Sequence, residues 1–330
     1  MVRVSVISVF YNRADMVDES VASLKQQSMD DYEILLVDDG STDSTLERLK
    51  AHEDGTTRVI AGPNRGLVGA LNHAISEARG AYIAIHGSGD LSLPARLERQ
   101  AEVLDHRPDV GVVGCRSEVV TLQSTRPPHL VKRPFDGDAS QVILDWNPFH
   151  HGEVMFRKSV FEEVGGYRPF FVCAQDRDLW CRMSQHCRFV VLEDVLYRKF
   201  AKVPGSVAAD PTRLMLQRHL SDFALYCHRE RLAGRPDPLV QFGEQGALFR
   251  PPSRELAKDM CVIGSRYAAD GNLEAARICF RRARDENGYL PARLLLAAAT
   301  LTPGILLGAG ELWRKLLRMF QKYKWSEARR

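Results

Sequence analysis

Short apolar runs alternate with stretches of helical spacing through the first third of this chain. Val4-Ser5-Val6-Ile7-Ser8-Val9-Phe10 is rich in β-branched residues and predicts a strand that ends in the turn Tyr11-Asn12-Arg13. Met16 to Lys25 follows with Met16, Val17, Val21 and Leu24 on one side, which is the spacing of an amphipathic helix. Ile34 to Val37 is short, wholly apolar and closed by turn residues, so it predicts a strand buried on both faces. A helix over Leu46 to His52, a strand at Arg58-Val59-Ile60 and a helix over Gly66 to Ala78 come next. Ala81 to Ile85 predicts a fourth strand. Such alternation predicts an α/β fold, a Rossmann-like and mostly parallel sheet with helices on both faces.

Beyond Leu104 the pattern loosens. Val110 to Gly114 and Gly152 to Phe156 read as strands, and Ser159 to Val164 as a short helix stopped by Gly165-Gly166-Tyr167. Thr125 to Pro134 holds three prolines and predicts a loop. A helix runs over Arg177 to Met183, and two strands at Val190 to Leu192 and Val195 to Tyr197 close the sheet region. From Thr212 onward the pattern is helical. The division expected is 1–210, with halves of about 1–105 and 106–210, and a helical region over 211–330.

A hydrophobic fraction of 45% and a charged fraction of 26% describe an ordinary folded protein. The net charge of +3 gives no general signal for nucleic-acid binding. The seven cysteines show no metal-type spacing, so they read as reduced thiols. Val2 to Phe10 lacks a basic leader and cleavage site, so no signal peptide is expected.

The candidate chemistry begins at Asp38 and Asp39, which follow the Ile34–Val37 strand and precede Gly40-Ser41-Thr42-Asp43. A strand, a tight turn and a helix put acidic side chains at the carboxyl edge of a parallel sheet, where open α/β folds bind ligands. Capping of the following helix is a simpler use for the same residues.

Taken in order, Ser5 to Asn12, Val37 to Asp43, Asn64-Arg65-Gly66 with Ala70-Leu71-Asn72, and Gly165-Gly166-Tyr167 with Gln175 to Trp180 resemble family-2 inverting glycosyltransferases of the GT-A fold. The resemblance covers about residues 1–207. It implies that Tyr11 and Asp39, with Asp38 beside them, hold the base and ribose of a nucleotide sugar, UDP-linked by preference. Stacking on an aromatic ring and acceptance of an N–H by a carboxylate suit those residue types. It also implies that Asp176 is the catalytic base, taking the proton of an acceptor hydroxyl. Asn64, Gly66, Ser88, Asp90 and Arg157 join the expected donor site.

His86-Gly87-Ser88-Gly89-Asp90 departs from the family pattern. Relatives carry acids where Gly87 and Gly89 stand here, and those acids hold Mg²⁺ or Mn²⁺ against the diphosphate. Three readings remain open. Asp90 could hold a metal with few other ligands. Backbone N–H groups of the turn and basic side chains could carry the diphosphate without metal, with Arg157, Arg182, Arg198, Lys199 and Lys202 as candidates. Or the chain could be a catalytically silent homologue that binds nucleotide or glycan as a partner subunit. His150 and His151 lie where the resemblance puts the acceptor side.

No glycine-rich, lysine-containing loop follows the first strand, which disfavours a nucleotidyltransferase. Arg254 to Ala283 resembles one tetratricopeptide helix pair, with Tyr267 and Phe280 at its interface. Trp313 to Trp325 interleaves basic, aromatic and leucine residues, which suits a helix lying in a membrane interface. The expectation is therefore a cytoplasmic enzyme, peripheral on the inner face of the membrane, that extends a surface glycan or lipid-linked glycan.

Overall fold

The computed structural model describes residues 2–121, 127–131, 133–201 and 210–301. Lys202 and the basic stretch 313–325 lie outside them. The chain divides into one unit of residues 1–206 with 227–235 and another of 207–226 with 236–330.

In the first unit, strands β1 (Val4–Phe10), β2 (Tyr32–Asp38), β3 (Thr57–Ala61) and β4 (Tyr82–Gly87) are linked through helices α1 (Val17–Lys25), α2 (Thr45–Lys50) and α3 (Gly66–Ser76). All four are parallel and lie in the order β3-β2-β1-β4. The apolar runs of β1, β2 and β4 are buried on both faces, as expected for strands covered by helices, while the edge strand β3 is only partly buried. Val6, Phe10, Val21, Leu24, Ile34 and Leu36 form the centre of this core.

The chain continues through β5 (Leu91–Ser92), α4 (Arg96–His106), β6 (Val110–Thr121), β7 (His129–Val131), β8 (Phe135–Gly137) and α5 (Val142–Asp145). It then forms β9 (Met155–Arg157), α6 (Lys158–Glu163), α7 (Gln175–Met183) and β10 (Arg188–Ala201). The sheet extends as β4-β9-β6-β10-β5, with β9 antiparallel to both neighbours and β10 parallel to β6. The sheet is thus mixed, and it is parallel through its first four strands.

Three expectations change. The two short strands at Val190 and Val195 are one strand, β10, with irregular register on β6 between Val191 and Tyr197. The proline-bearing stretch includes strand β7, paired with β6 at Ser117 to Val119. The strand expected from Gly152 starts only at Met155. Residues His151–Glu153 instead form a 3-10 turn whose Glu153 carboxylate accepts the His150 backbone N–H at 2.9 Å.

The second unit is helical, with α9 (Pro238–Phe242), α10 (Arg254–Ala269), α11 (Leu273–Asn287) and α12 (Leu290–Leu301) following α8 (Pro211–Leu232), whose first part belongs to it. Ser253 caps α10 and Asn272 caps α11 through their side-chain oxygens. Gly264 lets the helices close: a Cβ there would stand 2.6 Å from the Phe280 ring. Among the described residues no helix is long and apolar enough to cross a membrane.

Candidate active site

Parallel register brings the ends of β1, β2 and β4 to one edge. Phe10 pairs with Asp38 and Val9 with Gly87, so Tyr11, Asp39 and Ser88 leave the sheet side by side. The Asp39 N–H donates to the Phe10 carbonyl at 2.9 Å, which carries the pairing one residue further. Tyr11 is 49% exposed, an unusual position for an aromatic ring, while Asp38 and Asp39 are buried. Asn12 takes the left-handed conformation (φ 50°), and its Oδ1 accepts the Thr42 N–H at 2.8 Å.

The two aspartates are held differently. Asp39 Oδ1 accepts the Arg65 N–H at 2.7 Å. Asp38 Oδ2 accepts the Ser41 N–H at 3.1 Å, and its buried Oδ1 has no hydrogen-bond partner among the described residues. An acceptor left so costs stability unless a ligand or water meets it. Capping is left to Asp43, whose Oδ1 accepts the Thr45 N–H at 3.0 Å. Gly40 (φ 74°) turns the chain where a Cβ would stand 2.6 Å from the Asn64 nitrogen. Asn64 and Gly66 are thereby at the same edge, exposed, with Asn64 Oδ1 accepting the Gly66 N–H at 3.1 Å.

The turn after β4 is built around the missing side chains. A Cβ on Gly87 would collide with Asp90 Oδ2 and stand 3.2 Å from the Tyr197 hydroxyl. Asp90 therefore fills the space next to position 87. Its Oδ2 accepts the Tyr197 O–H at 2.8 Å and its Oδ1 accepts the Phe200 N–H at 3.0 Å. Tyr197 in turn accepts the Gly87 N–H at 2.9 Å. Burial pushes the Asp90 carboxyl up to about 6, against the pull of the Phe200 N–H, the Tyr197 hydroxyl and the Lys199 charge. At Gly89 (φ 93°) a Cβ would stand 2.7 Å from Met16 Sδ.

The residues present do not fit the family's metal. Neither glycine offers a side-chain oxygen, both Asp90 carboxylate oxygens already accept hydrogen bonds, and the cations Arg13 and Lys199 lie within electrostatic reach of Asp90. Among the described residues no cluster of three His, Cys, Asp or Glu side chains is placed to hold a metal ion.

Buried beside the turn, His86 is held near 3, first by burial and then by the Arg96 charge. Its Nε2 lies 3.0 Å from both Ser20 Oγ and the Asp90 carbonyl. The unfolded chain takes a proton at the ordinary imidazole value near 6.5 while the folded chain does not, so this group withdraws stability as pH falls. The loss is about 2 kcal/mol between pH 7 and pH 5. Asp90 acts oppositely, since its raised folded value favours proton uptake by the folded state over the same interval, by about 1 kcal/mol. His86→Gln should therefore gain about 2 kcal/mol relative to wild type on going from pH 7 to pH 5, read from urea midpoints.

On the other side of the cleft, Gly152 packs against this turn: a Cβ there would stand 3.0 Å from the Gly87 nitrogen. The next residue back, His151, donates or accepts a 2.7 Å bond between Nε2 and the Tyr167 hydroxyl, and lies within electrostatic reach of both Asp176 and Lys199. Burial lowers the His151 pKa, against the Asp176 charge and with the Lys199 charge. Asp176 is half-buried near the start of α7, with Asn147 Nδ2 at 3.4 Å from its Oδ2. Helix α7 begins at Gln175 after the left-handed Ala174 (φ 58°), so Asp176 lies inside the first turn and is not the cap. Asp178, Arg168 and Arg182 form a buried ion network beneath it.

Several expected residues do not reach this place. Arg157 pairs in register with Tyr82, at the opposite end of β4 from Gly87. Its guanidinium donates to the carbonyls of Leu104, Arg107 and Val110, so it closes the amino end of the sheet and is no donor-site residue. Arg182 binds Asp178 and the carbonyls of Val164 and Gly166, and Arg198 pairs with Glu118. Ser88 is half-buried at the turn, beside Gly87. The sequence reading overlooked Arg13, Asn147 and the Tyr197 clasp on Asp90.

Tyr11, Asp38 and Asp39 at one edge of a mostly parallel sheet, with Asp176 on helix α7, give the arrangement of a GT-A-type fold. The model of Glycosyl transferase family 2 matches residues 5–165. EpsE of Bacillus subtilis (strain 168), a glycosyltransferase by name, is 34% identical over 204 residues, 59% of this chain and 72% of that protein. The amylovoran biosynthesis glycosyltransferase AmsE of Erwinia amylovora is 28% identical over 59% of this chain and 74% of its own length. Among solved structures, S. aureus TarS 1-349 in complex with UDP superposes with a TM-score of 0.55 at 16% identity over 90% of each chain. The mannosyltransferase PcManGT of Pyrobaculum calidifontis, in complex with GDP-Man and Mn²⁺, gives 0.51 at 22% identity over 95% of this chain and 88% of that one. This chain belongs to glycosyl transferase family 2, and it is a glycosyltransferase of the kind found in polysaccharide biosynthesis.

Proposed function

We propose that the cleft moves one sugar, with inversion, from a nucleotide-diphosphate sugar to a hydroxyl of a glycan acceptor, UDP being the favoured nucleotide. The observation that supports this most is a continuous path of neighbours. Asp39 adjoins Phe10, Val9 pairs with Gly87, Gly152 abuts Gly87, and His151 faces Asp176. Tyr11 offers an exposed ring for the base, and Asp39 with the open Asp38 Oδ1 offers acceptors for base and ribose. Asp176 takes the acceptor proton as that oxygen bonds to the anomeric carbon and the bond to the diphosphate breaks. His151 is a poorer base, because its Nε2 is engaged by Tyr167 and its ring is buried.

A lipid-linked acceptor would bring the basic stretch 313–325 to the cytoplasmic leaflet, where interleaved basic and aromatic residues bind. Calorimetric titration with UDP tests the donor reading. Asp39→Asn keeps an oxygen for the Arg65 N–H but presents an amide to the nucleotide, so binding should weaken about tenfold with the melting curve unchanged. Equal affinity in the variant would remove Asp39 from the site. Binding of UDP without turnover on any glycan acceptor would favour the catalytically silent homologue.

A further inference from the structure

The turn that should bind a metal has instead been rebuilt as a clasp, and this has a consequence for the leaving group. The carboxylate of Asp90 lies where a side chain at 87 would have to pass, and both its oxygens are taken from strand β10, by the Tyr197 hydroxyl and the Phe200 N–H. Three of the four backbone N–H groups of residues 87–90 are spent as well. The N–H of Gly87 goes to Tyr197, that of Gly89 to Ser20 Oγ at 3.1 Å, and that of Asp90 to the Gly87 carbonyl at 2.9 Å. An anion-binding nest needs such groups unspent and convergent, so the Gly-Ser-Gly turn is a poor seat for a diphosphate.

Between the two residues that hold Asp90 stand Arg198 and Lys199. Lys199 is half-buried; its backbone pairs with Val119 on β6, and its ammonium has no hydrogen bond or ion pair among the described residues. Its neighbour Arg198 is neutralised by Glu118 at 2.6 Å, and Arg157 is at the far end of the sheet. The Lys199 charge reaches Asp90 on the nucleotide side and His151 on the Asp176 side. A cation at this point stands between the edge that carries the nucleotide and the acid that activates the acceptor. That is where negative charge grows as a diphosphate leaves.

We propose that Lys199, fixed by the Asp90 clasp, carries the charge of the departing nucleoside diphosphate in place of a divalent cation. The inference rests on the donor reading above and deepens it. When the bond from the anomeric carbon to the diphosphate breaks, the electron pair stays on the diphosphate oxygen and meets the ammonium. The proton from the acceptor goes to Asp176, and no metal enters the balance. Asp90 is a positioning residue here, since it touches neither donor nor acceptor but sets the end of β10 from which Lys199 projects.

Calorimetric titrations of wild type, Lys199→Met and Lys199→Arg with uridine and with UDP, each in EDTA and again in saturating Mn²⁺, test this. GDP, CDP and dTDP with their nucleosides serve if UDP does not bind. Wild type should bind the diphosphate equally in EDTA and in Mn²⁺. Lys199→Met should bind it about tenfold or more weakly, the loss of one charge-assisted contact, with nucleoside binding unchanged. Lys199→Arg should recover most of the loss. A tenfold gain on adding Mn²⁺ to wild type would overturn the proposal, as would a Lys199→Met variant whose diphosphate affinity is unaltered, while nucleoside binding in either case leaves the donor reading standing. Failure of all four diphosphates and nucleosides to bind would overturn the donor reading and the inference with it.

Discussion

Replacing Asp176 by Asn should lower the rate of sugar transfer by about a hundredfold to ten-thousandfold, the range over which a positioned general base contributes. The substitution is nearly isosteric, and in the first turn of α7 it removes a charge–dipole interaction of about 0.3–1 kcal/mol. The neighbouring network of Asp178, Arg168 and Arg182 does not involve it, so the fold around α7 should persist. Asn cannot accept the acceptor proton, and no neighbour substitutes for it. His151 is the nearest candidate by electrostatics, but it already shares its Nε2 with Tyr167, and its burial opposes the charge it would take on. Donor binding should be unaffected, because Tyr11 and Asp39 directly follow β1 and β2 while Asp176 sits on α7. The check is a pair of measurements on one variant, turnover of a nucleotide sugar with a glycan acceptor and calorimetric titration with UDP. Full turnover in the variant would end the assignment of Asp176 as base. Loss of both turnover and UDP binding would make it part of the donor site instead.

The first half of the sheet was legible because its information is local. Each of its four strands is a run of apolar residues a few positions long, and each is followed by the helix that covers it, so period and order alone imply a parallel sheet. The Asp38-Asp39-Gly40 turn could be placed for the same reason. Arg157 was misplaced because its position depends on the direction of β9. Antiparallel pairing sets Arg157 opposite Tyr82, whereas its charge alone suggested the phosphate end. The Asp90 clasp joins residues 107 positions apart, through a strand whose register shifts at irregular points, and no spacing rule reports such a pairing. Glycines at 87 and 89 showed that two acids were missing. That the space at 87 is occupied by Asp90 needed coordinates.

The same coordinates show a buried cation that charge patterning would assign to the surface. Arg96 opens α4, is fully buried, and sends its guanidinium to the Ile85 carbonyl at 2.7 Å, Ser92 Oγ at 3.1 Å and Gln100 Oε1 at 3.2 Å. It also lies 5.0 Å from the centre of the Tyr197 ring, under the residue that clasps Asp90. Burial lowers its pKa, and the charges of Glu153 and Asp90 are among those that offset this. Glu153 is itself fully buried, with Ser117 and the His150 N–H as its partners. Arg96→Met fills much of the volume but leaves the Ile85 carbonyl with a lost donor and Glu153 without its nearby positive charge. Removing one member of a buried charged network costs about 3–5 kcal/mol, whereas exchanging all of it for apolar residues can cost nothing. The expected result is a urea midpoint lowered by that amount of stability, with Arg99→Met as control. Arg99 is on the same helix, half-exposed, in a surface pair with Glu102, and its loss should cost less than about 1 kcal/mol. If Arg96→Met costs no more than Arg99→Met, the guanidinium is not what holds β4, β5 and the Asp90 turn together. If it costs the full amount and UDP affinity falls with it, the site's preorganisation depends on a cation that never meets the substrate.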